Sequence, residues 1–290
     1  MTGRKPPPRA KSMAPSHRAR KRFGQHFLRD RSIIARIVAE FDPKPQDCIV
    51  EIGPGKGALT EVLLEHTAGM HVIEIDRDLA AYLQETFQQR LDVHQADALK
   101  FDFCRLGDSR KPLRLIGNLP YNISTPLLFH LLDASCCIQD MLFMLQKEVV
   151  DRLVAEPGGS DYGRLSVMVQ WRCRVERLFG VAAGAFSPPP QVESAVVRLT
   201  PYQHSPVPID DPGRFRQIVH AAFAQRRKVL RNSIGRLVEP DLMLQVGIDP
   251  TRRAETLSLA EFATLANLPF RAGYIEIDGG PPATSGGGCS

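Results

Sequence analysis

The sequence predicts a doubly wound α/β sheet followed by a smaller, all-helical segment. Two observations predict it. Between residues 48 and 146, short apolar runs alternate with segments of helical periodicity, the pattern of βαβ units around a parallel sheet. From 214 to about 272 the pattern is helical without an intervening strand, and Phe215, Ile218, Val219, Ala222 and Phe223 share one face. With 290 residues and 43% hydrophobic content, the chain can hold one large domain or one plus a smaller one.

The elements follow in order. The run 48-CIVEIG-53 is short, apolar and closed by Gly, as a buried strand is, and 57-GALTEVLLEHT-67 has helical spacing. Then 71-HVIEID-76 reads as strand, 77–89 as helix and 91-LDVHQAD-97 as strand. After a loop, 113-LRLIGN-118 is strand and 125-TPLLFHLLDA-134 is helix, with Pro126 suited to its first turn. A further buried strand, 140-DMLFMLQ-146, is followed by a helical stretch and by the helix 162-YGRLSVMVQWRC-173. The Pro-stiffened loop opening 186-FSPPPQVESAVVRLT-200 leads into a strand. Residues 201–213 hold four prolines and two consecutive aspartates, the composition of a linker. The expected organisation is a disordered basic tail at 1–20, a first domain at 21–203, a helical domain at 207–273 and a low-complexity tail at 276–290.

Charge is uneven. Residues 1–31 hold ten lysines and arginines against the single acid Asp30, so the rest of this +5 chain is net acidic. A second basic cluster, 214-RFRQIVHAAFAQRRKVLR-231, has six cations and no acid, and two such clusters favour a polyanion partner. No apolar run approaches the roughly 20 residues of a membrane helix. Residues 1–22 lack the apolar core of a secretory signal, and 6-PPP-8 interrupts the amphipathic helix of a transit peptide. The six cysteines form no C-x-x-C pair, which speaks against a zinc site or a disulfide framework and for free thiols in a reducing cytosol.

Three motifs carry chemistry, each at a strand end. Glycines 53, 55 and 57 in 50-VEIGPGKGALT-60 let backbone approach a ligand closely between strand and helix. Glu74 ends the next strand, 21 positions after Gly53, the spacing of a carboxylate that grips ribose hydroxyls. The third Gly comes one residue early for a dinucleotide fingerprint, and Lys56 lacks the following Ser or Thr of a P-loop. The pair indicates an adenosine-containing ligand without choosing between NAD and S-adenosylmethionine. Asp97, in 95-QADAL-99, closes the third strand, as an acceptor for an adenine amine or as a turn residue. In 118-NLPY-121 the Asn118 side-chain oxygen and the Leu119 carbonyl offer two acceptors for an exocyclic amine. Pro120 stiffens that turn, and Tyr121 offers a ring on which a base can stack.

In this order, GPGKG, IEID, AD and NLPY resemble the amino-methyltransferases that act on adenine in nucleic acids. Within that group the chain is similar to the KsgA-type small-subunit ribosomal RNA adenine dimethyltransferases. The resemblance rests on 22-RFGQHFL-28, 51-EIGPGKGALT-60, 117-GNLPYNIST-125, 146-QKEVVDRL-153, 186-FSPPPQVESAVVRL-199 and 223-FAQRRKVLRNSI-234, and spans residues 21 to roughly 270. It implies a Rossmann-like class I S-adenosylmethionine-dependent methyltransferase domain with a small C-terminal helical domain. It also implies S-adenosylmethionine as donor and S-adenosylhomocysteine as product, held by Gln25, His26, Leu28, Gly53, Gly55, Glu74, Ile75, Asp97, Ala98 and Asn118. Asn118, Leu119, Pro120 and Tyr121 would orient the target adenine, and Phe186 aligns with an aromatic near the target base. The implied substrate is a pair of adjacent adenosines in a hairpin loop near the 3′ end of 16S rRNA, each dimethylated at N6, in the immature 30S subunit.

The expected enzyme is a cytoplasmic monomer with no metal, whose target base leaves its stack to reach the donor. After one transfer the amine keeps a single N–H, so stacking should matter more in the second. Arg226, Arg227, Lys228 and Arg231, with Arg22 beside the active site, are expected to touch RNA phosphates. Two alternatives are a 23S rRNA adenine methyltransferase of the antibiotic-resistance kind and a non-catalytic nucleic-acid-binding relative. The FSPPPQVES and FAQRRKVLRNSI segments look more like the small-subunit type.

Overall fold

A computed structural model describes residues 25–108 and 110–271. The expectations for Arg22 and for the two tails lie outside the described residues, apart from positions 25 to 31 of the basic N-terminal segment. In chain order the first half comprises β1 (Phe27–Leu28), α1 (Arg31–Phe41), β2 (Cys48–Ile52), α2 (Ala58–Leu63), β3 (Met70–Glu74), α3 (Arg77–Phe87), β4 (Leu91–Gln95) and β5 (Leu113–Asn118). The second half comprises α4 (Ser124–Asp133), β6 (Ile138–Gln146), α5 (Lys147–Val154), α6 (Arg164–Arg172), β7 (Cys173–Val181), β8 (Phe186–Ser187) and β9 (Ser194–Pro201). The helices α7 (Pro212–Ala224), α8 (Leu230–Ser233), α9 (Pro240–Gln245) and α10 (Leu259–Asn267) follow.

Seven strands form one sheet in the order β4-β3-β2-β5-β6-β9-β7. The first five are parallel, while β9 runs antiparallel to both β6 and β7. The chain steps outward from β2 through β3 to β4, then returns to lay β5 on the other side of β2. That reversal opens a crevice at the carboxyl ends of β2 and β5, where such sheets bind ligands. Side chains alternate between faces along each strand. Cys48, Val50 and Ile52 join one core under α4 and α5, while Ile49, Leu142 and Met144 join a second core with α1 and α2.

Four elements are absent from the sequence expectations: the two-residue strands β1 and β8, helix α1 and strand β7. Helix α1 is capped by Asp30, whose side chain accepts from Ser32 and Ile33 N–H groups, and it buries Ile34, Ile37, Val38 and Phe41. Strand β7 is an edge strand rich in charge, with a register shift between Arg177 and Phe179, so its apolar alternation is faint in the sequence.

Arg114 enters at the start of β5, with its guanidinium wholly engaged. It binds Asp140 through two bonds of 2.8 and 2.9 Å, Asp47 at 2.7 Å, and the Phe41 and Asp42 carbonyls at the end of α1 at 2.7 and 3.2 Å. Burial opposes its charge, and the two carboxylates more than offset that, so its pKa is raised.

A third core holds the C-terminal helices. Tyr162 and, from α6, Val167, Met168 and Trp171 pack there against Phe215, Ile218 and Val219 of α7, with Trp171 and Phe215 ring centroids 4.7 Å apart. Val169 of the same helix faces the core under α4 and α5. Thus α6 belongs to both halves.

The expectation of free thiols is corrected for one pair: Cys104 and Cys137 form a disulfide. They are separated by 33 residues and meet because two short 3-10 turns, Phe103–Arg105 and Ser135–Cys137, lie side by side. Local spacing cannot show such a pair. Cys48, Cys136 and Cys173 take part in no disulfide among the described residues.

Candidate active site

The carboxyl ends of β2, β3, β4 and β5 surround a cavity of about 490 Å³, a size suited to a nucleoside-containing ligand. Gly53 and Gly55 turn the chain from β2 toward α2 with φ of 68° and 59°, which brings bare backbone to the cavity wall. Glu74 ends β3, and its two carboxylate oxygens accept the N–H groups of Gly55 at 3.2 Å and Asp76 at 2.9 Å. Burial raises its pKa, while those two N–H groups work the other way. The carboxylate is therefore aimed by backbone and keeps lone pairs for ribose hydroxyls. Beside it, Ile75 is 47% exposed and lines the cavity, an apolar platform beside that carboxylate.

Asp97 is a turn residue, and it stands at the cavity. One oxygen accepts Leu99 N–H at 3.0 Å in a turn, and the residue lines the cavity with Ala98 and Leu99.

The wall opposite is built from two distant segments. β1 pairs antiparallel with β8, Phe27 against Ser187 and Leu28 against Phe186, and His26 Nδ1 donates to the Pro188 carbonyl at 2.8 Å. This strap carries Gln25, His26, Leu28 and Ser187 to the cavity. Asn118, at the end of β5, donates its amide N–H to the His26 carbonyl at 2.9 Å. That bond fixes the amide, so Oδ1 is the free end. Among the described residues no donor reaches Asn118 Oδ1 or the Leu119 carbonyl. The next peptide nitrogen belongs to Pro120, which has no N–H of its own. Tyr121 stands over His26, ring centroids 5.7 Å apart and planes 25° from parallel, and its hydroxyl bonds the Ser194 hydroxyl at 2.8 Å.

A model of the "Ribosomal RNA adenine dimethylase" family matches residues 16–269. The chain belongs to the ribosomal RNA adenine dimethylase family. Curated relatives of this dimethylase include a protein of Alcanivorax borkumensis named ribosomal RNA small subunit methyltransferase A, 52% identical over 94% of this chain and 98% of its own. A Pseudomonas aeruginosa protein of the same name is 54% identical over 87% of this chain and 94% of its own. Among solved structures, a dimethyladenosine transferase from Plasmodium falciparum superposes with a TM-score of 0.72 at 25% identity, over 83% of this chain and 96% of that one. The 23S rRNA methyltransferase ErmE superposes with a TM-score of 0.64 at 26% identity, over 83% and 98%. The class I methyltransferase fold expected from the sequence is thereby shown.

The dimethylase structure brings all ten expected donor-site residues to one cavity, together with Leu119, Pro120 and Tyr121. Two expected residues stand elsewhere. The Phe186 ring is 3% exposed and packs in the core shared with α1 and α2, so it is not part of the cavity wall. Its backbone anchors β1 instead. Arg226 is also committed: its guanidinium donates to the Ser160 and Tyr162 carbonyls at 2.6 and 2.8 Å, tying α7 to the loop before α6. Arg226 is exposed as well, as are Arg227, Lys228 and Arg231.

Sequence reasoning passed over Glu51. Its carboxyl is 1% exposed in β2 yet lines the cavity, and Thr60 donates to it at 2.5 Å. Burial pushes this acid up to about 7, against the Thr60 bond and with a smaller push from Glu74. The signal was present: a carboxylate in an otherwise apolar strand run has to face something polar. Among the described residues no group of three or more His, Cys, Asp or Glu is arranged to hold a metal ion, and no helix is long and apolar enough to cross a membrane.

Proposed function

We propose that this dimethylase transfers methyl groups from S-adenosylmethionine to N6 of two adjacent adenosines near the 3′ end of small-subunit rRNA. One observation carries the reading. Among the described residues Asn118 Oδ1 and the Leu119 carbonyl are neighbouring acceptors that no donor reaches, on a cavity that an aimed carboxylate, Glu74, also lines. An adenine amine is a weak nucleophile because its lone pair is delocalised into the ring. Two acceptors on its N–H bonds fix the nitrogen and favour a pyramidal shape, which aligns the lone pair for transfer. The donor supplies an electrophilic methyl on a sulfonium. Asn118 and Leu119 hold the amine, Tyr121 supports the extruded ring, and Glu74 holds a ribose. No charged base is required, since the amine loses its proton after the methyl has arrived.

The small-subunit reading is supported by relatives at 52% and 54% identity that carry that name, against 26% for the 23S enzyme. The substrate particle is an immature 30S subunit, met by a monomer in the cytoplasm. Incubation with radiolabelled donor and, in parallel, purified immature 30S particles and protein-free 23S RNA tests it. Label on small-subunit RNA is the expected result; label on 23S RNA favours the resistance-type enzyme, and none favours a binding protein.

Glu51 makes the donor site sensitive to pH. S-adenosylmethionine carries one more positive charge than S-adenosylhomocysteine, and an ionised Glu51 in a sheltered cavity favours the more positive ligand. With this acid at about 7, donor affinity should fall as pH drops below 7 while product affinity changes less. In the Glu51→Gln variant the difference should vanish. Calorimetric titration of both ligands at pH 6 and pH 8 would show it.

Arg227, Lys228 and Arg231 are expected to bind phosphates. Replacing all three by Ala should weaken 30S binding and flatten the dependence of log K on log salt by about one unit per lost contact. Filter binding at graded salt measures both.

A further inference from the structure

Ser194 opens β9, in the segment 186-FSPPPQVESAVVRL-199. It is 0% exposed. A hydroxyl taken wholly out of water is costly unless it finds a partner. Among the described residues, Tyr121 is the hydrogen-bond partner of this hydroxyl, at 2.8 Å. The two ends of that bond differ in freedom. Ser194 is held on both sides by sheet, paired with Gln146 of β6 and Val181 of β7. The preceding Glu193 carbonyl accepts the N–H of Lys147. Tyr121 sits in a turn, half-buried, with the Ser124 hydroxyl on its carbonyl and the His26 ring beside it. An immobile hydroxyl thus fixes the far end of a ring that the turn alone would leave free to swing.

We propose that Ser194 is a positioning residue for methyl transfer: through its bond to the Tyr121 hydroxyl it holds the ring in the plane on which the target adenine stacks. The role rests on the reading of Tyr121 as the platform for the base. It bears most on the second transfer. Monomethyladenine keeps one N–H, so one of the two acceptors at Asn118 and Leu119 loses its donor and the ring must hold more of the orientation. Ser194 acts through Tyr121 and does not touch the reacting atoms.

The test uses the full-length protein, immature 30S particles and mass spectrometry of the digested RNA. Ser194→Ala and Tyr121→Phe each remove the bond from one end. Each should slow the second transfer about three- to tenfold, the loss of one hydrogen bond, and let monomethyladenosine accumulate. The double variant should be no slower than either single, because both remove one interaction. S-adenosylhomocysteine affinity should be unchanged in all three. A Ser194→Ala protein with the wild-type rate and wild-type product ratio overturns the proposal, even if its melting temperature falls. So do effects that multiply in the double variant. If Ser194→Ala does not fold, Tyr121→Phe decides, and a wild-type product ratio there overturns it equally. Tyr121→Ala separates the two layers: normal dimethylation by that variant sinks the platform reading itself.

Discussion

Asn118→Ala is expected to lower the single-turnover rate of adenine methylation by about 10²- to 10³-fold, the scale of losing one preorganised polar contact to the reacting group. The variant removes Oδ1, one of the two acceptors for the amine. It also removes the amide N–H that holds the His26 carbonyl at 2.9 Å, and so loosens the strap over the cavity. The two losses separate experimentally. A slack strap weakens donor binding, which saturating donor restores. A missing acceptor lowers the rate at saturation and stays lost. Rapid-quench assays with immature 30S particles and excess donor read the second effect alone. A near-normal rate there would mean that the amine is held somewhere else.

Arg114→Met is the substitution with the largest expected cost to stability, about 3–5 kcal/mol, because it leaves buried carboxylates without their cation. Asp47 and Asp140 are 12% and 11% exposed at the side chain and both lose the guanidinium, which leaves Asp47 the Lys44 N–H. The carbonyls closing α1 lose theirs too. The cause can be isolated. In the triple variant Arg114→Met/Asp47→Asn/Asp140→Asn no charge is stranded, so it should be more stable than the single one. Urea melts of both proteins measure the difference. Arg114 lies at one end of β5 and Asn118 at the other, so the anchor also sets where the turn at Asn118 begins.

The donor side of the cavity was legible because doubly wound sheets put strand ends on one rim. Gly53, Glu74, Asp97 and Asn118 each stand at the end of a strand segment, and that position brings them together. What was illegible depends on which distant segments meet. Nothing local says that Leu28 pairs with Phe186, so the resemblance puts Phe186 near the target base while its ring is core and its backbone is the anchor. Arg226 looks like its neighbours Arg227 and Lys228 in the sequence, but it alone faces the Ser160 and Tyr162 carbonyls. The Cys104–Cys137 bond joins two turns whose contact only the packed fold creates. Helix α1 is a different case: Ile34, Ile37, Val38 and Phe41 after a capping Asp30 carry the helical period openly, and the reading passed over them.

The strap of β1 on β8 also orders events in time. Gln25, His26 and Leu28 leave the ribosome early, but the strand that holds them at the cavity ends at Ser187. Domains fold during synthesis as their segments emerge. A nascent chain that ends at β6 lacks the strand that carries those residues to the crevice. The crevice closes only once nearly the whole sheet has been made. The earliest residues of the site are the last to be set in place, so donor binding reports on a chain that has almost finished folding.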